Sequence, residues 1–366
     1  MTRILFVDDE PIVLRALDRA IRVQRRPWKA VFVSSGKDAL ELLQREQFDV
    51  IVSDIGMPVM DGVTLLHNVR ERFPHMARLA LSGEARSDER MRAVLAIHQW
   101  LAKPCPLAKL VDTIDRLSWA RTLIDDPEMV AKVCGLASLP SAPTLYLEVA
   151  EALEHTDDLD QIATLIETDM AIARELLQLV NSAFFTEAER VTSVRRAAAM
   201  LGADRLRELL LAAEIFRSRP AAADLAAHAV YVAKLARSFA HEHHDDVFVA
   251  GLLHDVAKLA VGEADSSSPV FLARLGGLLL GTWGLPAEVI NAVAFHHDPE
   301  AAPDPNEQRL LIVALAEALA NEHHELADRC AVSLGHDPAE CRARAAAIRP
   351  RPSLVRPAAS RVRSSP

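Results

Sequence analysis

The chain has 366 residues, 50% of them hydrophobic, and a formal net charge of −10. That length and apolar content suit two domains with cores of their own, and the acidic balance argues against broad affinity for nucleic acid or anionic membrane. Met1-Thr2-Arg3 leads into a short apolar run, Ile4 to Val7, so no signal segment is expected; the runs Leu278–Leu285 and Leu310–Ala320 are too short or too interrupted for membrane insertion. Cys105, Cys134, Cys330 and Cys341 show no C-x-x-C spacing and read as free thiols of a reducing, cytoplasmic compartment.

From residue 3 to about 117 strand and helix signals alternate. Ile4 to Val7 is followed by Asp8-Asp9-Glu10-Pro11, and Val50 to Val52 by Ser53-Asp54 and then Met57-Pro58. Leu79 to Leu81 is followed by Ser82, and Lys103-Pro104 comes last. Short apolar runs of this kind form buried parallel strands, which puts Asp8, Asp9 and Asp54 at strand C-terminal ends, the edge of an open α/β sheet where ligands bind. Clustered carboxylates repel one another, and a hard divalent cation such as Mg²⁺ relieves that repulsion. The last helix of this region is expected to start near Pro106, and the mixed-charge stretch with the Asp125-Asp126-Pro127 break reads as a linker.

These fragments resemble the receiver domain of bacterial two-component response regulators over roughly the first 120 residues. The resemblance implies a flavodoxin-like, doubly wound sheet of five parallel strands, with a domain at 1–120. It implies that Asp54 is the phospho-acceptor and that Asp8, Asp9, Asp54 and the backbone carbonyl of Gly56 hold Mg²⁺. It further implies that Ser82 and Lys103 contact the phosphoryl group, that Trp100 occupies the switch-aromatic position, and that the Lys103-Pro104 bond is cis. A sensor histidine kinase would be the phosphodonor.

After a linker placed at 121–134, the alternation gives way to apolar residues at three- and four-residue spacing, the signature of successive helices. Asp158, Asp169, Ser193 and Asp204 are plausible helix N-caps, and Gly202 is a plausible helix C-terminal turn. The segment from Arg342 to Pro366 holds seven arginines and no acid, and 331–366 is expected to lack a fixed fold.

Several fragments of the helical region carry a second resemblance: Leu139-Pro140-x-x-Pro143, Val180-Asn181-Ser182, Ala199-Met200-Leu201-Gly202, Leu253-His254-Asp255-Val256-Ala257-Lys258, Trp283-Gly284-Leu285-Pro286 and His296-His297-Asp298-Pro299. They resemble the HDOD domain, an all-α relative of the HD metal-dependent phosphohydrolases, over roughly 135–300, which implies an HDOD output domain at 135–330. HD enzymes bind metal through a distal histidine, a His-Asp pair and a later aspartate, so His228, His254, Asp255, His296 and His297 are the vestigial ligand candidates. Leu272 stands where relatives carry a histidine, and Ala257 replaces a glycine. A transition metal is therefore not expected there, and the output is read as non-catalytic, binding an unidentified downstream protein. The alternative is a phosphohydrolase of the cyclic-dinucleotide phosphodiesterase kind. A DNA-binding regulator ranks lower: Ser193 to Ala212 superficially resembles a helix-turn-helix with Arg205 and Arg207 on its second helix, but that helix is heavily apolar. His241, His243 and His244 read as a solvated loop, and homodimerisation is left open.

Overall fold

The computed structural model describes residues 1–82, 97–135, 149, 152, 158–167, 176, 193–217, 223–261 and 268–348. Its N-terminal unit runs β1 (Thr2–Val7), α1 (Pro11–Gln24), β2 (Trp28–Val33), α2 (Gly36–Leu43), β3 (Val50–Asp54), α3 (Gly62–Arg72), β4 (Ala77–Ser82), β5 (Gln99–Ala102) and α4 (Leu107–Arg121). The strands form one five-stranded parallel sheet in the order β2-β1-β3-β4-β5. Strand alternation divides the apolar residues between two faces: Leu5, Val7 and Ile51 enter one core, and Ile4, Phe6, Val50 and Val52 the other. This two-sided burial is why these strands are apolar throughout, with helices covering both faces.

Local chemistry starts the helices where the motifs need them. Pro11 occupies the first turn of α1, after the acidic pair Asp8-Asp9 and the N-cap residue Glu10. Asp61 caps α3 by accepting the Thr64 N–H at 2.6 Å. Gly62 packs so closely on the strand before it that a Cβ there would lie 2.0 Å from the backbone oxygen of Asp54.

The helical unit comprises α5 (Pro127–Gly135), α6 (Leu159–Glu167), α7 (Val194–Arg217), α8 (Ala223–Phe239), α9 (His244–Leu253), α10 (Val256–Val261), α11 (Pro269–Thr282), α12 (Ala287–Phe295), α13 (Gln308–Ala320), α14 (His324–Ser333) and α15 (Pro338–Ile348). Helix α13 lies at its centre, with every residue from Leu310 to Ala320 buried. As expected, Asp158 caps α6 and Ser193 caps α7. Gly202 interrupts α7 with φ +74°, ψ 175°, a local break for which glycine is suited. Asp169 lies outside the described residues, and the side chains of Asp204, Arg205 and Arg207 are likewise not described.

Two sequence expectations are corrected. The stretch read as a linker contains helix α5; Val130, Val133 and Cys134 recur at helical spacing and join the same core as the C-terminal helices, as do Leu123 and Ile124. The segment 331–366, read as lacking a fixed fold, contains α15. Asp337 caps it, its alanines favour helix, and Cys341 and Ala345 are buried while the Ala345 carbonyl accepts the Tyr231 hydroxyl at 3.0 Å. Residues 349–366 lie outside the described residues. Among the described residues no helix is long and apolar enough to cross a membrane.

Gly62→Ala should cost about 3 kcal/mol or more in denaturant unfolding, because its methyl group meets backbone rather than a movable side chain. Gly56→Ala is the control, since a Cβ there would meet nothing within 4 Å. Equal midpoints for the two variants would contradict this account of the β3–α3 junction.

Candidate functional site

Among the described residues, two polar centres gather possible ligand side chains. The first sits at the C-terminal edge of the sheet, where the ends of β1 and β3 bring ligand atoms of Asp8, Asp9 and Asp54 within 4.8 Å of one another. Asp8 is 1% exposed and Asp54 8% exposed, so neither carboxylate is neutralised by bulk water. Lys103, directly after β5, places Nζ 2.9 Å from Asp8 Oδ2 and 2.9 Å from Asp54 Oδ1. Burial works against the Lys103 ammonium, but hydrogen bonds to Asp54 and Asp8 outweigh it and raise its pKa above the ordinary lysine value. The Lys103-Pro104 bond is cis, as the resemblance implied. The Glu10 N–H donates to Asp8 Oδ1 at 2.9 Å and fixes that carboxylate. Ser82 pairs in register with Ala102, and Trp100 with Ala80; the side chains of Ser82 and Trp100 lie outside what is described. Three acidic oxygen donors suit a hard cation such as Mg²⁺.

The second centre lies among α8, α9, α10, α12 and α13. Ligand atoms of His228, His254, Asp255 and Glu317 converge within 4.8 Å, and those of Asp255, His296 and His297 form an adjoining group. His228 Nε2 lies 2.9 Å from Glu317 Oε2. His254 is fully buried: its Nδ1 donates to the Gly251 carbonyl at 2.8 Å, leaving Nε2 3.1 Å from Glu317 Oε2 and 3.3 Å from Asp255 Oδ2 without an aligned hydrogen bond. His296 repeats the pattern, with Nδ1 donating to the Val293 carbonyl at 2.7 Å and a buried Nε2 that has no partner. A backbone carbonyl on one ring nitrogen and an unpaired second nitrogen facing carboxylates is the arrangement of a metal-ligating imidazole, so these residues fit a divalent ion. Without one, burial pushes the His254 imidazole down, but Glu317 and Asp255 outweigh this and lift its pKa to about 10. Burial also lowers His296, to about 3, with His297 and His254 adding to the effect. Burial would raise the Glu317 carboxyl, yet its histidine partners hold it well below the usual carboxylate range.

All five sequence-derived candidates, His228, His254, Asp255, His296 and His297, meet here. Glu317 was missed, and the ligand set judged incomplete for want of a residue at Leu272 has a fourth member. The signal was available: Glu317 is the lone charge in the apolar run Leu310–Ala320. Leu272 packs partly buried against the apolar core and belongs to neither ligand group. His243 is exposed and accepts from Arg309 at 3.0 Å, consistent with its reading as part of a solvated surface.

The response regulator receiver family model matches residues 4–115, the HDOD model 139–270 and the HD model 225–322. The chain joins a receiver domain to an HDOD domain. The HD match spans every residue of the second centre, from His228 to Glu317. Among curated relatives, the hydrogenase transcriptional regulatory protein HoxA of Cupriavidus necator is 34% identical over 34% of this chain and 25% of its own length. The response regulator protein FleR of Pseudomonas aeruginosa is 28% identical over 48% of this chain and 35% of its own. The chain thus spans well under half the length of these relatives. A solved receiver domain of an HD domain-containing protein from Pseudomonas fluorescens Pf-5 is 26% identical, covering 31% of this chain and 92% of that one at TM-score 0.30.

In chelator-treated protein the folded state holds the His254 proton more tightly than the unfolded state. Its contribution is therefore full below pH 6.5 and is lost as pH rises towards about 10. Glu317→Gln removes the larger attraction, and should both destabilise the HDOD domain by about 3–5 kcal/mol and flatten the pH dependence of its unfolding free energy across that window. An unchanged slope would contradict the His254–Glu317 pairing.

Proposed function

We propose that the chain is a two-component response regulator in which a sensor histidine kinase phosphorylates Asp54 and the HDOD domain passes the signal on by binding a downstream protein. The observation that supports this best is a lysine bridging two buried carboxylates at adjacent strand ends. Asp54 is the nucleophile: a carboxylate oxygen attacks phosphorus, the donor's P–N bond breaks, and the donor imidazole leaves. Mg²⁺, held by Asp8, Asp9, Asp54 and the Gly56 carbonyl, supplies charge neutralisation when bound. Lys103 pairs with the new phosphoryl oxygens, the Ser82 hydroxyl donates to them, and Trp100 repacks into the space this leaves. In this reading the receiver occupies about 1–120 and the output, including the former linker helix, extends to α15.

A second reading, a metal-dependent phosphohydrolase output, is favoured by one observation: Glu317 completes a four-residue ligand set with His228, His254 and Asp255. A metal held there would supply an acidified water and a charge opposite a phosphate. Lys258, paired with Asp255 and 40% exposed, is the neighbouring cation that could meet an incoming anion.

With acetyl phosphate and Mg²⁺, the wild-type chain should gain one phosphoryl group by mass spectrometry, and neither Asp54→Asn nor chelated wild type should gain any. Labelling of either sinks the assignment. The binding reading further expects no turnover of cyclic dinucleotides or model phosphodiesters; metal-dependent turnover that Glu317→Gln abolishes in a folded protein would replace it with the hydrolase.

A further inference from the structure

Helix α11 is one place where the receiver meets the output; another is α5, whose Cys134 carbonyl is approached by Arg78 at 2.8 Å and His98 at 3.3 Å. Gln99, the first residue of β5, donates its side-chain amide to the Gly281 carbonyl at 3.0 Å and to the Thr282 carbonyl at 3.1 Å, in the last turn of α11. Carbonyls of a helix's last turn lack partners within the helix, so a side chain from the receiver caps a helix of the output. The contact is close enough to constrain the sequence around it. Gly284, just beyond α11, has φ +81°, and a Cβ there would lie 2.9 Å from Gln99 Oε1. A Cβ at Gly281 would lie 2.4 Å from Ala120 Cβ of α4, and one at Gly277 would lie 2.8 Å from Leu123 Cδ1.

The same helix touches the histidine-bearing segments. A Cβ at Gly277 would lie 2.7 Å from Ala294 Cβ, and one at Gly276 would lie 3.2 Å from Val293 Cγ1 and 3.7 Å from the His254 carbonyl. Val293 is the residue whose carbonyl orients His296. Helix α11 is therefore clamped between the receiver and the two segments that carry His254 and His296.

Strand β5 connects this clamp to the phosphorylation site. It lies at the sheet edge, hydrogen-bonded to β4 alone, so it can shift against one neighbour rather than two. Gln99 is at one end of β5, and Lys103, which follows the other end, bonds Asp54 at 2.9 Å. At strand rise the two ends are only about 10 Å apart.

We infer that β5 and α11 form a mechanical link: a change in Lys103 pairing at Asp54 moves β5, Gln99 carries that movement to the C-terminus of α11, and α11 repositions the histidine cluster. This rests on the receiver reading, because the stimulus is the modification of Asp54. A phosphoryl group or its mimic replaces one of the two carboxylate partners of Lys103 with a larger, more charged group, and β5 carries that displacement to Gln99 at its other end.

Hydrogen–deuterium exchange on the full chain, with and without beryllofluoride and Mg²⁺, tests the link. In wild type, amides of β4 and β5 and those of 276–297 should both change, the latter by about fivefold or more, the lower end of a measurable coupling. Gln99→Leu removes both bonds, and Gln99→Glu sets a carboxylate against carbonyl oxygens. In both variants the receiver should still respond while 276–297 falls silent. A response at 276–297 that persists in both variants, or a wild-type response confined to the receiver, overturns the inference and leaves the receiver reading intact. Silence of both units in wild type fails the receiver reading and the link with it.

Discussion

Lys103 shares one ammonium between two carboxylates that the sheet has buried, and the N-terminal unit is organised around that charge balance. Two carboxylates this close repel strongly in a site shielded from water. Parallel strand order sets Asp8 and Asp54 side by side at the ends of β1 and β3, and the ammonium from the end of β5 offsets the repulsion. The same clustering of carboxylate oxygens gives the edge a donor set that suits a hard divalent cation.

The HDOD domain meets the same difficulty with different residues. Glu317 and Asp255 are buried in a helical core and are compensated by histidines and Lys258. Burying charge in an apolar core costs several kcal/mol unless partners are well placed, and α13, otherwise apolar from Leu310 to Ala320, carries one carboxylate in its last turn. Two imidazoles, His228 at 2.9 Å and His254 at 3.1 Å, meet that carboxylate and account for its presence better than packing does.

Much of the receiver was legible because parallel strands buried on both faces leave uninterrupted apolar runs, and the acidic residues that end those runs mark the ligand edge. Asp8, Asp9 and Asp54 followed from that rule, whereas Lys103 came from the resemblance to receiver domains. The helical centre was legible only in part: histidines announce themselves, whereas Glu317 was hidden inside a run judged by its hydrophobicity alone. Composition misled at both ends of the output. Charge and proline around Asp125 masked the helical spacing of Val130, Val133 and Cys134, and arginine and alanine content masked α15, whose buried face is only Cys341 and Ala345. The contact between Gln99 and α11 had no sequence signal at all, since it joins residues far apart in the chain through a single polar side chain.

The two units are continuous: Ala120, Leu123 and Ile124 share a core with residues as distant as Ala345. Differential scanning calorimetry of the full chain tests this continuity most directly. Beryllofluoride with Mg²⁺ should shift a single cooperative transition to higher temperature as a whole. Two separate transitions, with only the one belonging to the receiver moving, would contradict the account.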